Sequence, residues 1–399
     1  MKKSIVFVLV TALLAAFAQA APAPDAPAGA PALESPSAIL MDAAGGQVLY
    51  EKNAHERLHP ASVTKIMSLL LTMEALDEGI VTEDTVITAS EHAAGMGGSQ
   101  IFLEPGERMT LRDLLKSVAV SSANDACVAI GEHLAGSEEA FVARMNRRAE
   151  ELGMADTHFV NCTGLDAEGH MTTAYDIALM SRELLKHPRI REYTTIWMDT
   201  VRDGAFGLAN TNKLIRFYDG ATGLKTGFTA SAGYCVSATA MRDGMELIAV
   251  IMKGETSPKR NADASALLNY GFSSFAVVRP ETGSPGQIPV TLGEERTVDA
   301  VLAGSGIFVA PRDSIRRMEK HVTLSEALTA PVEKGQVVGA YTVTLDGEEQ
   351  LRVPIVAAQA VARRTLGSIF SELFASLCGR ESFSRAEGSA PYIYLIITT

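Results

Sequence analysis

Cysteine is scarce in this chain: four in 399 residues are too few for a disulfide scaffold. Positive charge is in deficit, with 35 Lys and Arg against 47 Asp and Glu. The resulting net charge of −12 excludes a broadly basic nucleic-acid footprint. Long apolar runs are missing too, because Ile5–Phe17 falls short of the roughly 20 residues that a membrane span needs. No repeat with a period of 20–50 residues is visible, which removes solenoids and propellers. The remainder, 47% hydrophobic and 21% charged, is ordinary globular composition and excludes wholesale disorder. The length suffices for two domains with a sizeable core.

The N-terminus sets the expected compartment. Lys2 and Lys3 precede the apolar run, and Ala18-Gln19-Ala20 follows it with small residues. That order of charge, apolar stretch and cleavage site is the pattern of a secretory signal over residues 1–20. Its removal takes two lysines and brings the charge to −14. No cysteine follows the cleavage site, which argues against lipoprotein processing. An exported protein is expected, placed at the outer face of the cytoplasmic membrane in the cell envelope.

Residues 21–36 are rich in Ala and Pro and read as an extended spacer. Ordered structure is expected from Ser37, with Ala38–Met41 and Gln47–Tyr50 forming a hairpin. From Ser62 to Leu76 the apolar positions run nearly all round a helix, so that helix is expected to be buried. Further helices are expected at Leu111–Val120, Asp125–Leu134, Glu138–Leu152 and Thr173–Lys186. Strand-like runs follow at Gly233–Ala240 and Glu246–Met252, then a helix at Arg260–Asn269. Strands at both ends with helices between suggest one α/β domain, residues 37–276, whose terminal segments share a sheet. Pro and Gly cluster over Arg279–Val290 as a linker. Short β-type runs at Thr297–Leu302, Gly306–Val309, Val337–Thr344 and Gln350–Val356 then indicate a small β-rich domain over residues 285–358.

Near the C-terminus, Leu366, Ile369, Phe370, Leu373, Phe374 and Leu377 share one helical face. Arg363 and Arg364 sit at the start of this segment, residues 360–378. A cationic start and two phenylalanines favour an amphipathic helix in the membrane interface over one packed on the β domain. Residues 379–399 suggest no role.

Three short motifs carry the chemistry: Ser62-Val63-Thr64-Lys65, Ser122-Ala123-Asn124 and Lys225-Thr226-Gly227. Each is weak alone, since an isolated S-x-x-K is usually a polar helix start. Each occurs once, and each sits where the chemistry requires it. Lys65 lies one turn beyond Ser62, so its amine can share a face with the hydroxyl. A serine alcohol needs an adjacent base, and a lysine serves only if its pKa falls. Burial or a second cation would lower it, and Lys225 is a candidate for that cation. Ser122 and Asn124 occupy a polar break between helices, suited to a proton relay and to a substrate amide. Lys225 and Thr226 suit a carboxylate, and Gly227 permits close approach of a ligand to the backbone.

With these motifs the sequence resembles the serine-type D-alanyl-D-alanine carboxypeptidases, the low-molecular-mass penicillin-binding proteins. Longer stretches carry the likeness: Asp42–Ala54, Pro60–Lys65, Ser122–Ala126, His158–Asn161 with Gly164–Asp166, and Gly223–Gly227. It covers residues 35–275, with a looser echo at Ala330-Pro331 and Lys334–Gln336. The resemblance implies an α+β penicillin-binding or β-lactamase-like domain, an antiparallel sheet flanked by helices. It implies that Ser62 attacks the carbonyl between two terminal D-alanines of a peptidoglycan stem peptide, with Lys65 as base. Ser122, with Lys225, would protonate the leaving amine, and Asn124 would hold the substrate backbone. The N–H groups of Ser62 and Phe228 would form the oxyanion hole, and Arg260 would help to hold the terminal carboxylate. Some relatives carry histidine where Phe228 stands, so a histidine side-chain role is lost here. β-Lactams are the implied inhibitors, and no cofactor, metal or nucleic acid is called for.

His55-Glu56-Arg57-Leu58-His59 is formally the zinc-peptidase H-E-x-x-H. That motif works only on a helix, and Pro60 directly after it pushes His59 out of the α region. Cys127, Cys162, Cys235 and Cys378 form no C-x-x-C, and buried free thiols are expected of Cys127 and Cys235. Asp166 and Glu168 stand where a β-lactamase needs a glutamate for its deacylating water, but the surrounding Gly164–His170 reads as a turn. A β-lactamase, a DD-endopeptidase and a non-catalytic wall-binding protein are the rival functions. Binding alone has no need of a Ser62–Lys65 pair.

Overall fold

The computed structural model describes residues 29–280, 285–304 and 306–377. The expected signal at 1–20, the first half of the spacer, Cys378 and residues 379–399 lie outside the described residues.

The second half of the expected spacer is described, and order begins before Ser37. Leu33 is buried against the core of the first domain, and Lys52 Nζ donates to the carbonyls of Leu33 and Ser35, each at 2.8 Å. The end of the spacer is therefore docked rather than free-standing. Strands Ser37–Asp42 and Val48–Lys52 form the expected hairpin. They join Met245–Gly254, Gly233–Arg242 and Ala221–Thr229 in one antiparallel sheet. The spatial order starts with Val48–Lys52 and continues with Ser37–Asp42, Met245–Gly254, Gly233–Arg242 and Ala221–Thr229.

Alternation within the inner strands explains their unbroken apolar runs. Ile39, Met41, Ile248, Val250 and Met252 face one core. Ala38, Leu40, Leu247, Ala249 and Ile251 face the other. With period-two side chains, both faces must be covered, so the runs Ala38–Met41 and Leu247–Met252 are apolar throughout, while Ser237 and Thr239 are buried polar exceptions in the neighbouring strand. Helix Ser257–Ser274 covers one face, starting earlier than Arg260 because Thr256 caps it through Lys259 N. The larger helical layer covers the other, centred on helix Lys65–Asp77. In that central helix only Glu74 and Asp77 escape burial, as its all-round apolar pattern demands. Helices Leu111–Ser121, Asn124–Ala135, Glu138–Glu151 and Ala174–Leu185 lie within two residues of their expected bounds.

Four segments differ from expectation. Ala221–Thr229 is a full strand, hidden in the sequence by its Gly, Lys and Thr content. Gly286–Thr291, read as linker, is a strand paired with Thr297–Leu302. Phe308–Pro311 pairs with Phe275–Val278 in a separate two-stranded ribbon instead of joining the C-terminal sheet. That C-terminal sheet has six strands, including Met318–Leu324, Val337–Leu345 and Glu348–Ala357, over a core of Ile288, Val298, Val343 and Ile355. Helix Leu366–Leu377 begins later than residue 360, because the segment before it is tied to the β domain. Val361 bridges Val332 there, Arg363 bridges Gly293, and Arg364 Nε donates to the Gly293 carbonyl at 2.7 Å.

Candidate active site

Pro60 ends the loop, and residues Ala61–Thr64 make a 3₁₀ turn that leads into the buried helix. Ala61 is held at φ +49, a left-handed conformation costly for a residue with a Cβ. Packing enforces it from two sides. A Cβ at Gly164 would fall 1.8 Å from the Ala61 carbonyl oxygen, and one at Gly227 would lie 2.9 Å from the Ser62 nitrogen. Both neighbours must therefore be glycine, and Gly164 also has φ +86. Ser62 is thus clamped between the 160–170 loop and the Ala221–Thr229 strand.

Lys65 is fully buried, yet its Nζ has three oxygen partners. Ser62 Oγ lies at 3.0 Å, Asn124 Oδ1 at 2.6 Å and the Thr163 carbonyl at 2.7 Å. The Asn124 amide cannot turn round, because its Nδ2 donates to the Gly97 carbonyl at 2.6 Å. A neutral amine has two N–H donors and one lone pair. The Asn124 and Thr163 oxygens only accept, so they take both N–H groups and leave the lone pair facing the Ser62 hydroxyl. Burial lowers the Lys65 pKa to about 8, against the opposing pull of Cys127, Cys162 and Asp125.

Lys225 is the second buried lysine. Its Nζ donates to Ser122 Oγ and to the Thr226 carbonyl, both at 2.9 Å. Ser122 reaches it from the end of helix Leu111–Ser121, at φ +66, in the break that separates this helix from Asn124–Ala135. Burial pushes the Lys225 pKa well down, with repulsion from Lys65 second. Of the two causes expected for Lys65, burial is the larger, and the two buried lysines repel each other besides. Thr226 is buried and donates to Thr211 Oγ1 at 2.8 Å.

The remaining expected residues lie around this centre. Phe228 pairs with Tyr234 in the ladder, while its half-exposed ring stacks on that of Tyr234 with centroids 4.3 Å apart. Arg260 is buried, and its Nη1 donates at 3.3 Å to the carbonyl of Cys235, the residue opposite Gly227. Its other partners are Ser257 Oγ and Asn261 Oδ1, and among the described residues it makes no ion pair. Burial alone pushes its pKa down to about 10. Glu168 is exposed, and Asp166 Oδ1 accepts from Thr229 Oγ1 at 2.7 Å, fastening the turn to the end of the strand. Neither carboxylate bonds to Ser62 or Lys65.

The H-E-x-x-H run is not helical. Leu58 forms a β-bridge with Thr172, His55 lies against Tyr175, and His59 Nδ1 is 3.2 Å from the His170 carbonyl. Cys127, Cys162 and Cys235 are buried free thiols.

Three supports escaped the sequence. Thr163 acts through a main-chain carbonyl, which no residue type advertises. Asp125 is buried and accepts from the N–H groups of Ile101 and Leu103, anchoring the loop that holds Asn124. His170 is buried, with Nδ1 accepting from Val160 N at 3.0 Å. Its Nε2–H then donates to Thr64 Oγ1 at 2.8 Å, inside the S-x-x-K turn. Burial lowers its pKa to about 4, so it stays neutral. The S-A-N-D continuation was a signal for Asp125; the other two had none.

A serine with a buried lysine as neighbour, framed by Ser-x-Asn and Lys-Thr-Gly, is the layout of an acyl-transferring serine hydrolase. Comparison with known proteins narrows the class. Residues 24–256 match the D-alanyl-D-alanine carboxypeptidase family, and residues 279–363 match the C-terminal domain of penicillin-binding protein 5. D-alanyl-D-alanine carboxypeptidase DacF of Bacillus subtilis (strain 168) is 42% identical over 332 residues, which cover 82% of this chain and 85% of that one. Penicillin binding protein 5 from Haemophilus influenzae superposes with a TM-score of 0.73 at 27% identity, covering 84% of this chain and 99% of its own. Penicillin-Binding Protein D2 from Listeria monocytogenes, solved in an ampicillin-bound form, is 33% identical with a TM-score of 0.55, covering 60% of this chain and 98% of its own. The chain belongs to the D-alanyl-D-alanine carboxypeptidase family, and is a serine-type hydrolase of the low-molecular-mass penicillin-binding class.

Proposed function

We propose that the protein removes the terminal D-alanine from peptidoglycan stem peptides through an acyl-enzyme on Ser62. The observation that carries this reading is the buried Lys65 Nζ, held 3.0 Å from Ser62 Oγ by two acceptors that take its N–H groups when the amine is neutral. Lys65 takes the hydroxyl proton as Oγ bonds to the carbonyl carbon. Ser122, bonded to Lys225, is placed to return a proton to the departing D-alanine. The N–H groups of Ser62 and Phe228 receive the developing oxyanion; a donor of this kind contributes about 10²–10³ in rate. Lys225, Thr226 and Arg260, which makes no ion pair among the described residues, supply positive charge and a hydroxyl for the substrate carboxylate. Asn124 positions Lys65 and offers its amide edge to the peptide. Lys225 makes good the proton that Ser122 gives up; water then cleaves the ester, its oxygen bonding to the acyl carbon and its proton passing to the Ser122–Lys225 pair, while Lys65 returns its proton to Ser62 Oγ.

A β-lactam carbonyl presents the same electrophile, so penicillins acylate Ser62. Fast turnover of that adduct is not expected, since Asp166 is engaged by Thr229 and Glu168 points to solvent. The test is incubation with a pentapeptide ending in D-Ala-D-Ala and assay of free D-alanine. A split cross-linked dimer in place of free D-alanine would indicate an endopeptidase, and covalent penicillin label on Ser62→Ala would overturn the nucleophile.

The protein is further read as exported by the 1–20 signal and held at the membrane surface by its last helix. Support for the second point is an apolar face left open, with Leu366 87%, Phe370 73% and Phe374 62% exposed. No helix among the described residues is long and apolar enough to cross a membrane. Truncation after Val361 is expected to release the protein from the membrane fraction; retention there refutes the anchor.

A further inference from the structure

A second cleft lies at the far end of the sheet from Ser62. Its cavity, about 590 Å³, is lined by Arg242, Arg279 and Arg312 together with Met245, Phe272 and Val277. Lys225 pairs with Ser237, and Arg242 lies five residues further along that strand, about 17 Å at 3.4 Å per residue. The cleft is thus separate from the peptidase centre.

The three arginines line one cavity, and their guanidinium groups donate to carbonyls, not to carboxylates. Arg242 donates Nε and Nη2 to the Asp219 carbonyl and lies between the rings of Tyr218 and Phe272, at 4.7 and 4.8 Å. Arg312 donates Nε and Nη2 to the carbonyl of that same Phe272, at 3.3 and 3.0 Å. Arg279 donates Nη2 to the Gly244 carbonyl at 3.3 Å, two residues from Arg242. Lys320 Nζ meets the Arg279 carbonyl at 3.1 Å and adds a fourth positive charge at the rim. Among the described residues none of these four groups makes a salt bridge, and Asp243 is the single carboxylate in the lining. Neutral carbonyls orient the arginines without cancelling their charge, and leave N–H donors on each of them unused. In a chain of net charge −12, such a concentration of uncompensated cations selects for an anion.

We infer that this cleft binds a phosphate group, as a monoester or diester, through Arg242, Arg279 and Arg312. Several forked donors around one cavity match a phosphate, which offers three or more acceptor oxygens, better than a lone carboxylate. The apolar side of the cavity, Met245, Phe272 and Val277, accommodates the carbon portion of the ligand. A phospholipid headgroup and a soluble phosphate ester carry the same recognised chemistry.

The test is calorimetric titration of the full chain with inorganic phosphate, glycerol 3-phosphate and a soluble short-chain phosphatidylglycerol, at constant ionic strength set with chloride. Saturable binding is expected. Arg279→Gln/Arg312→Gln is expected to weaken it about tenfold or more, while penicillin acylation of Ser62 stays at the wild-type rate and shows that the variant is folded. Tighter binding of the lipid than of glycerol 3-phosphate assigns the site to a headgroup; equal binding assigns it to the phosphate ester alone. Absence of saturable heat with all three ligands, or equal affinity in the double variant, overturns the proposal.

Discussion

Acylation by Ser62 should switch on with the deprotonation of Lys65. A lysine that ionises at 10.5 in water does so at about 8 here, because its ammonium is buried beside neutral oxygens. That fall corresponds to about 3 kcal/mol against the charged form in the folded state. The base is then about one-tenth neutral at pH 7 and nine-tenths neutral at pH 9, so the second-order rate of penicillin acylation should rise about tenfold between them. Stopped-flow measurement with a fluorescent penicillin reads this step directly. Replacing Asn124 by Asp puts an anion where Oδ1 now lies, 2.6 Å from Nζ. An opposite charge at that range raises a lysine pKa by about 1–3 units, which should move the profile to higher pH by the same amount and slow acylation at pH 8 about fivefold or more. His170 stays neutral across this range, since its pKa lies near 4. A profile flat from pH 6 to 9, or one that Asn124→Asp leaves in place, would refute Lys65 as the base.

Other outcomes follow from the supports of the site. Gly164→Ala forces its methyl onto the Ala61 carbonyl at a left-handed φ, and should cost about 3 kcal/mol or more by urea unfolding, with acylation falling alongside. Asp125→Ala strands the buried N–H groups of Ile101 and Leu103, so a loss of about 2–4 kcal/mol is expected together with slower acylation, as Asn124 loses its supporting loop. For His170 the folded pKa of about 4 lies below the unfolded 6.5, so the unfolded chain takes up the proton first. Stability is therefore full above pH 6.5 and falls by about 3 kcal/mol as pH drops to 4; His170→Gln should remove that dependence in melts across the window.

The chemistry was legible in the sequence because it is written in side chains. Ser62, Lys65, Ser122, Asn124 and Lys225 meet in one place, and their spacing relative to buried helices and a strand announced it. The central helix and the inner strands were legible as well, since full burial leaves an unmistakable apolar record. What stayed hidden works through the main chain or at edges. The Thr163 carbonyl has no sequence signature, and the Lys-Thr-Gly strand lies at a sheet edge, where its residues serve the site rather than the core. Met318–Leu324 is almost wholly exposed, so no alternation marked it. Burial was legible as a source of the Lys65 shift, but the segments that close over the amine, the Thr163 loop among them, were not.

The hairpin strand Ser37–Asp42 lies inside the sheet, with Leu40 opposite Ala249, a partner roughly 200 residues later in the chain. During synthesis that strand is made almost first and finds its neighbour almost last. Until Met245–Gly254 emerges, one whole edge of Ile39, Leu40 and Met41 stays unzipped and open to chaperones. The slow step in assembling this protein is therefore expected to be closure of the sheet across its own ends, and any lesion that delays those last strands would strand the oldest part of the chain.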